Sequence, residues 1–564
     1  FFFSRIHRRN MEPVAEEATA NLEGLAATVT AATVGAASEW PFARWAASAL
    51  CIEEMQALLR ALGTTAFYRR PAALLPPLLR LLRAQLLLLC VLALLCALCA
   101  CLAVFFFALS VRLRRRMLRL SQSRSSVDRA PSPNVVGLFH PYCNAGGGGE
   151  RVLWAAVRTI QEADPTALCV IYTGDRNASP AQILERAEKQ FDLRPRRPVH
   201  FCYLRTRFLV EAWLYPAFTM VGQSAGSVTL AAEALLLRPP DLFLDTMGYA
   251  FTHWLARWCG CRVGCYVHYP TISTDMLEQA QRAASVLRRA KTLYYRLFAG
   301  VYGVAGQASE LVMVNSSWTA ANIAALWRTQ PQVVFPPCPT AQLQSLPLQP
   351  RQNLIVSLAQ FRPEKNQRLQ LEAFAELLRK WPSTATAGQS SRRDSGPLTR
   401  SRSRGSLGGS AVELSEPPRL ALIGSCRDDE DRARVAELRE LSVALGIADR
   451  VEFMVGISNQ ELHEMLGMAK AGLHTMWCEH FGIGVVEFQA AGVIPVAHNS
   501  GGPKLDIVIE YNGERTGYLA TTAQEYAESL FVLLTMPTDR LQRLQRNARA
   551  ASQRFSDEEF HRRL

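Results

Sequence analysis

The chain has 564 residues, too many for a single hydrophobic core, so about two to four domains are expected. Its 49% apolar and 20% charged content suits a globular enzyme carrying one membrane segment. The net charge of +13 calls for an anionic partner such as phospholipid or a phosphorylated substrate; nucleic acid is set aside, because the arginines are not interleaved with the aromatic or helix-turn-helix signals it needs.

Residues 1–85 read as an N-terminal extension, either poorly ordered or amphipathic around Ile52–Leu62, and no chemistry is visible in them. Leu86–Val111 is an uncharged run longer than the ~20 residues that cross a bilayer. It lies too far into the chain for a signal peptide and is expected to stay as a single-pass anchor. More arginines follow it (Arg112, Arg114, Arg115, Arg116, Arg119, Arg124) than precede it, which puts the C-terminal side in the cytosol. The cysteines agree with that reducing side. Four of the 14 sit inside the apolar run, and the rest show no repeating spacing. His253, Cys259, Cys261, Cys265 and His268 resemble a metal cluster in composition, but 261–268 reads as a turn feeding a strand, whose alternating side chains do not close a tetrahedron.

After a linker at 112–133, Asn134–Tyr142 is a strand, Gly146–Gly149 a glycine turn, and Glu150 opens a helix. Such a turn lets a phosphate or sugar approach closely, and it lacks the spacing of a dinucleotide fingerprint. Strands are expected at Ala167–Gly174, Val199–Leu204, Asp241–Thr246, Arg262–Tyr269, Leu311–Asn315 and Val333–Phe335, alternating with helices as in a doubly wound parallel sheet. His268 closes the strand GCYV at its carboxyl end, where open α/β sheets bind ligands. Lys291–Val304 mixes basic, aromatic and apolar residues, the composition either of a helix at a bilayer surface or of a buried core helix.

A second α/β unit begins near Asn353. Arg362 and Lys365 follow its first strand and suit a diphosphate. The Ser-, Gly- and Arg-rich stretch 384–417 cannot bury a core and is expected as a disordered insertion. Ala471–Pro503 then reads as strand, loop, helix, strand and glycine turn. Glu479 lies in the loop and Glu487 one to two turns inside the helix, so both can face the mouth where the helix N-terminus attracts a phosphate. The plain alternative is that one glutamate caps the helix while the other is solvated.

From Asn134 to about Ser556 the chain resembles the retaining glycosyltransferases of family 4. The segments FHPYCNAGGGGERVLW, DTMGYAFT, YVHYPTISTDM, VNSSWT, QFRPEKN, LHTMWCEHFGIGVVE and HNSGGPKLDIVI carry the likeness. Within the family they are most similar to the branch that uses GDP-mannose to extend the dolichyl-diphosphate-linked oligosaccharide at the endoplasmic reticulum membrane, in the pathway of protein N-glycosylation. The resemblance implies an α/β protein of GT-B type, two Rossmann-like domains (134–350 and 351–540, then a C-terminal helix at 541–564) facing across a cleft. It implies transfer of α-1,2-linked mannose, as the fourth and fifth mannoses, with no metal cofactor. The partners it implies are the lipid-linked acceptor and the other mannosyltransferases of that pathway.

By the same resemblance Glu479 would hold hydroxyls of the transferred sugar and Glu487 the ribose. Arg362 and Lys365 would neutralise the diphosphate, Gly501 and Gly502 would offer N–H groups to the donor, Gly147 and Gly148 would let the donor approach, and His268 would sit at the reaction centre. The sequence departs from the family at Gln360, where an arginine is usual and where Arg362, two residues on, is expected to substitute on the same face. It departs again at Pro336–Pro339, at a glycine turn one residue longer that puts Asp506 in question as a ligand, and at Leu564, before the usual helix returning to the first domain. The rival readings are a family 4 transferase with another donor or acceptor, and a non-catalytic sugar-nucleotide-binding scaffold.

Overall fold

The computed structural model describes residue 85 and residues 100–116, 134–281, 286–382 and 416–564. The N-terminal extension to residue 84, residues 86–99 of the expected span, linker residues 117–133 and insertion residues 383–415 lie outside the described residues. The chain divides into a unit of residues 1–109 and a unit of residues 110–564. Residues 100–116 are helical, and in the first unit the helix exposes Leu102, Phe105, Phe106 and Leu109, as a lipid-facing segment does.

The second unit holds two parallel sheets. The first contains β1 (Val135–Phe139), β2 (Leu168–Thr173), β3 (His200–Tyr203), β4 (Leu242–Asp245), β5 (Arg262–Val267), β6 (Leu311–Val314) and β7 (Gln332–Val333), in the order β3-β2-β1-β4-β5-β6-β7. The second contains β8 (Gln352–Leu358), β9 (Arg419–Gly424), β10 (Val451–Val455), β11 (Ala469–His474), β12 (Ile494–His498) and β13 (Tyr518–Ala520), in the order β10-β9-β8-β11-β12-β13. Both orders are doubly wound, with reversals between β1 and β4 and between β8 and β11, as the alternation of strand and helix signals predicts. Helices cover both faces, so the strands are apolar nearly throughout: Ala471, Leu473, Ile494 and Val496 join one core of the second sheet, and Leu138, Cys169, Ile171 and Leu244 join one of the first.

Among the described residues one helix, Thr219–Leu237, is long and apolar enough to cross a membrane. It buries Leu230, Ala231, Ala234 and Leu235 in the first domain, and a Cβ on its Gly226 would lie 1.9 Å from the Leu209 carbonyl oxygen. Helix and neighbouring turn meet backbone to backbone, as in a core helix.

The return to the first domain, expected beyond Leu564, already takes place inside the chain. After Thr538–Ser552 on the second domain, the helix Asp557–Arg563 sets Phe560 in the core cluster of Trp154 and Tyr266, and Asp557 pairs with Arg151 at 2.9 Å. Asp506 serves the same end. Its carboxylate accepts hydrogen bonds from the backbone N–H (2.9 Å) and the hydroxyl of Ser317, at the N-terminus of the helix Ser317–Trp327 in the first domain. It therefore joins the domains rather than serving as a donor ligand.

Candidate active site

The carboxyl ends of β1, β4 and β5 face those of β8 and β11 across a cleft. Two cavities occupy it, of about 350 and 600 Å³, and both are lined by Gly148, Leu358, Ile483 and Gly484. The smaller adds Gly149, His268, Tyr269 and Asn315 from the first domain, with Gln360, Lys365, His474 and Glu479 from the second. Glu487 lines the larger, beside Asn459 and His463.

On the second domain β11 ends at His474, and the loop that follows swings Glu479 back over the strand end. Its Oε2 takes the Lys365 ammonium at 2.5 Å and faces His474 Nε2 at 3.2 Å. Burial works to raise the Glu479 pKa, but the His474 hydrogen bond and the Lys365 charge outweigh it and hold the carboxyl well below the usual range. Lys365 itself ends the short turn Pro363–Lys365 after β8, and its carbonyl accepts the Thr475 hydroxyl at 2.9 Å, which ties the β8 loop to the β11 loop. The helix Ile483–Ala491 then starts at Gly482, with Ile483 and Gly484 at the cavity wall, so its positive end opens on the same space. Glu487, one turn inside that helix, is half-buried. Desolvation raises its carboxyl pKa and Arg151 partly offsets this.

To the smaller cavity the first domain contributes uncharged groups, while Arg151, Glu188, Lys189 and Asp192 line the larger one. The Glu150 carboxylate accepts the N–H groups of Ala145 (2.6 Å) and Gly146 (2.8 Å), which closes the glycine turn. A Cβ on Gly148 would lie 2.7 Å from the Ile483 side chain across the cleft, so a larger residue would part the walls. His268 donates from Nε2 to the Thr246 carbonyl (3.1 Å), which leaves its Nδ1 lone pair unprotonated. The Thr246 hydroxyl donates to the Phe139 carbonyl and meets His140 Nδ1 at 2.8 Å. Burial lowers the pKa of His268 to about 4 and of His140 to about 3, so both are neutral at pH 7.

Thus the cleft assembles Gly148, His268, Lys365, Glu479 and Glu487, while Gly147 caps the first helix at its rim without lining either cavity. Three of the expected residues, Arg362, Gly501 and Gly502, lie outside the lining of both cavities. β8 stops at Leu358, and Arg362 N–H closes a turn onto the Gln360 carbonyl (2.8 Å), so strand alternation no longer applies; the guanidinium lies by Glu364 and the Arg427–Asp431 pair, and Gln360 takes the cavity position. Gly502 N–H donates to the Glu479 carbonyl (2.8 Å), and a Cβ on Gly501 would fall 2.3 Å from that same oxygen. These glycines let two loops touch, and so fix the backbone of Glu479.

The families described as ALG11 mannosyltransferase N-terminus and Glycosyl transferases group 1 match residues 133–327 and 409–551. A curated mouse protein, GDP-Man:Man(3)GlcNAc(2)-PP-Dol alpha-1,2-mannosyltransferase, is 45% identical across 82% of this chain and 91% of its own length. The chain belongs to this mannosyltransferase family. The human relative of the same name is 44% identical with the same coverage, and that of Neurospora crassa 44% identical across 76% of this chain and 78% of its own length. In fold, the mannosyltransferase is similar to sucrose-phosphate synthase from Thermosynechococcus elongatus (TM-score 0.50, 15% identity, 76% of this chain and 96% of the other). It is also similar to the N-terminal domain of trehalose-6-phosphate phosphatase from Candida albicans (TM-score 0.53, 10% identity, 77% and 96%). The fold is GT-B.

The sequence reading did not single out His474, His480, Tyr269 and Asn315, which the mannosyltransferase brings to the cleft. His474 had a readable signal, a histidine at the carboxyl end of a buried strand five residues before Glu479. His480 had none, since its ring lies between Tyr269 (5.4 Å between centroids) and Trp318 (5.3 Å), both from the other domain.

Proposed function

We propose that the chain transfers mannose from GDP-mannose, in α-1,2 linkage, to the Man3GlcNAc2 oligosaccharide on dolichyl diphosphate, adding its fourth and fifth mannoses. The observation that carries this reading is the Lys365–Glu479–His474 cluster facing a helix N-terminus at the doubled switch point, in a chain that spans 91% of a relative with that printed activity. The donor diphosphate lies between Lys365 and the N-terminus of Ile483–Ala491, and this fixed positive charge stabilises the leaving GDP without a metal. Glu487, in the larger cavity, accepts the ribose hydroxyls. Glu479 accepts hydroxyls of the mannose and orients it as the anomeric carbon gains positive character. The acceptor hydroxyl enters from the neutral wall beside His268, on the face from which GDP leaves; the departing phosphate oxygen takes its proton, and configuration is retained.

The reaction is assigned to the cytosolic face of the endoplasmic reticulum, with Leu86–Val111 as the single span. Protease added to intact microsomes then digests residues from Asn134 onward, and their protection would refute that orientation. The function is tested by incubating the purified chain with GDP-mannose or UDP-sugars and the trimannosyl lipid acceptor, then weighing the product. One and then two added hexoses are expected with GDP-mannose alone; transfer from a UDP-sugar, or none, contradicts the assignment.

A further inference from the structure

On the outside of the first domain, away from the cleft, the helices Thr219–Leu237 and Val286–Gly306 flank an open groove of about 390 Å³. That is more than twice the ~150 Å³ of a cavity that holds a benzene ring. Val221, Val228, Phe251, Leu297, Phe298 and Val301 form most of its lining. The single hydroxyl side chain among them on the first helix, Ser224, donates to its own helix at the Met220 carbonyl (2.6 Å), so the floor offers no free donor there. The second helix is apolar on two sides. Phe298 and Tyr302 enter the core, while Leu293, Leu297, Val301 and Val304 are each more than half exposed in a stripe along the rim. Such a stripe costs solubility unless something apolar covers it.

We propose that this groove holds the polyisoprenyl chain of the lipid-linked acceptor. The inference rests on the function proposed above and names a subsite for it. A concave channel whose lining carries only two hydroxyls, that of Ser224 and the buried one of Tyr294, fits a flexible branched hydrocarbon, which has no backbone polar groups to satisfy. Charge agrees: Lys291 and Arg296, both exposed on the helix that carries the rim, supply positive charge for the diphosphate joined to the lipid. Position agrees as well. Phe298 stacks on Tyr302 (6.2 Å, 12° between planes), and the Tyr302 hydroxyl accepts the backbone N–H of Thr271, three residues beyond His268. The groove wall and the loop holding His268 are therefore one ring apart. In the relatives' acceptor a diphosphate and the Man(3)GlcNAc(2) sugars separate the lipid from the mannose that is extended, so a lipid site outside the cleft is where that molecule needs one.

The test uses the full chain in detergent and two ligands. Binding of sugar-free dolichyl diphosphate is measured by titration, and steady-state transfer is measured with the dolichyl acceptor and with the same trimannosyl-chitobiosyl diphosphate lacking the lipid. Ala225→Phe, on the exposed groove floor, is expected to weaken dolichyl diphosphate binding at least tenfold and to raise the KM for the lipid acceptor by the same factor, with kcat, the GDP-mannose KM and the KM for the lipid-free acceptor unchanged. Val301→Phe fills the groove from the other wall and is expected to do the same should Ala225→Phe fail to fold. Unchanged binding in the folded variants overturns the proposal. So does an equal loss on both acceptors, or a defect seen with vesicles and absent in detergent, which would assign the face to the bilayer. Were dolichyl diphosphate to bind the parent chain and not the variants while no mannose moved, the lipid site would stand and the assigned reaction would fall.

Discussion

The two walls of the smaller cavity are built on sheets of the same strand order and carry opposite chemistry. The second domain places an ammonium, a carboxylate and a helix N-terminus within one cavity, with Lys365 2.5 Å from Glu479. The first places glycines, an asparagine and a histidine held neutral by burial on the facing side. A nucleotide diphosphate needs fixed charge, whereas an uncharged sugar hydroxyl needs room and a lone pair nearby. On the proposed reading the same topology would serve as donor half and acceptor half, with the strand-end residues deciding which is which.

That contrast breaks most readily at Lys365. Lys365→Met removes the cation that neutralises both the diphosphate and the buried Glu479, and kcat/KM should fall about 10³-fold, roughly 4 kcal/mol, measured by initial rates. A loss under tenfold would move the diphosphate charge elsewhere. The neutral wall is tested by pH. His268 and His140 have folded pKa values below the ~6.5 of the unfolded chain, so on acidification the unfolded state takes up protons first. Their contribution is whole above about pH 6.5 and is lost as pH falls toward 4. His268→Gln should flatten the Tm profile in that window, by at most about 3 kcal/mol at its acid end. An unchanged slope would mean that the ring is not neutral when folded.

Within the donor half, Glu487→Gln should raise the GDP-mannose KM about tenfold, ~1.4 kcal/mol, and leave kcat within twofold, because the ribose is remote from the bond that breaks. A drop in kcat without a KM change would reassign it. The smallest effect is expected at Arg362, whose side chain lies outside both cavities: Arg362→Gln should change kcat/KM by less than threefold. A large loss would restore the role that its sequence position suggested.

Sequence reading reached the parts of the site that depend on local order. Glu479 and Glu487 flank a helix start preceded by a buried strand, so their common outlook follows from strand, loop and helix geometry. Likewise His268 at the end of GCYV marks a strand terminus that opens on the smaller cavity. It failed where the chain leaves regular structure. Arg362 was assigned a strand's alternation two residues past the strand end, and the turn through Gln360 redirects it. Gly501 and Gly502 resemble an anion-binding turn, but their crowding against the Glu479 carbonyl is a contact between distant loops. The helix Thr219–Leu237 is long and apolar enough to cross a membrane, and its composition alone does not separate a core helix from a membrane span. His480 and Asp506 act across the domain interface, which no single segment encodes.

The claim that the charged wall acts chiefly in the transition state is tested most directly by Glu479→Gln, assayed with GDP-mannose varied at saturating acceptor and with circular dichroism to confirm folding. The account predicts a kcat about 10²-fold lower, on the order of 3 kcal/mol, with the donor KM within threefold of the parent value. A folded variant with unchanged kcat would contradict it.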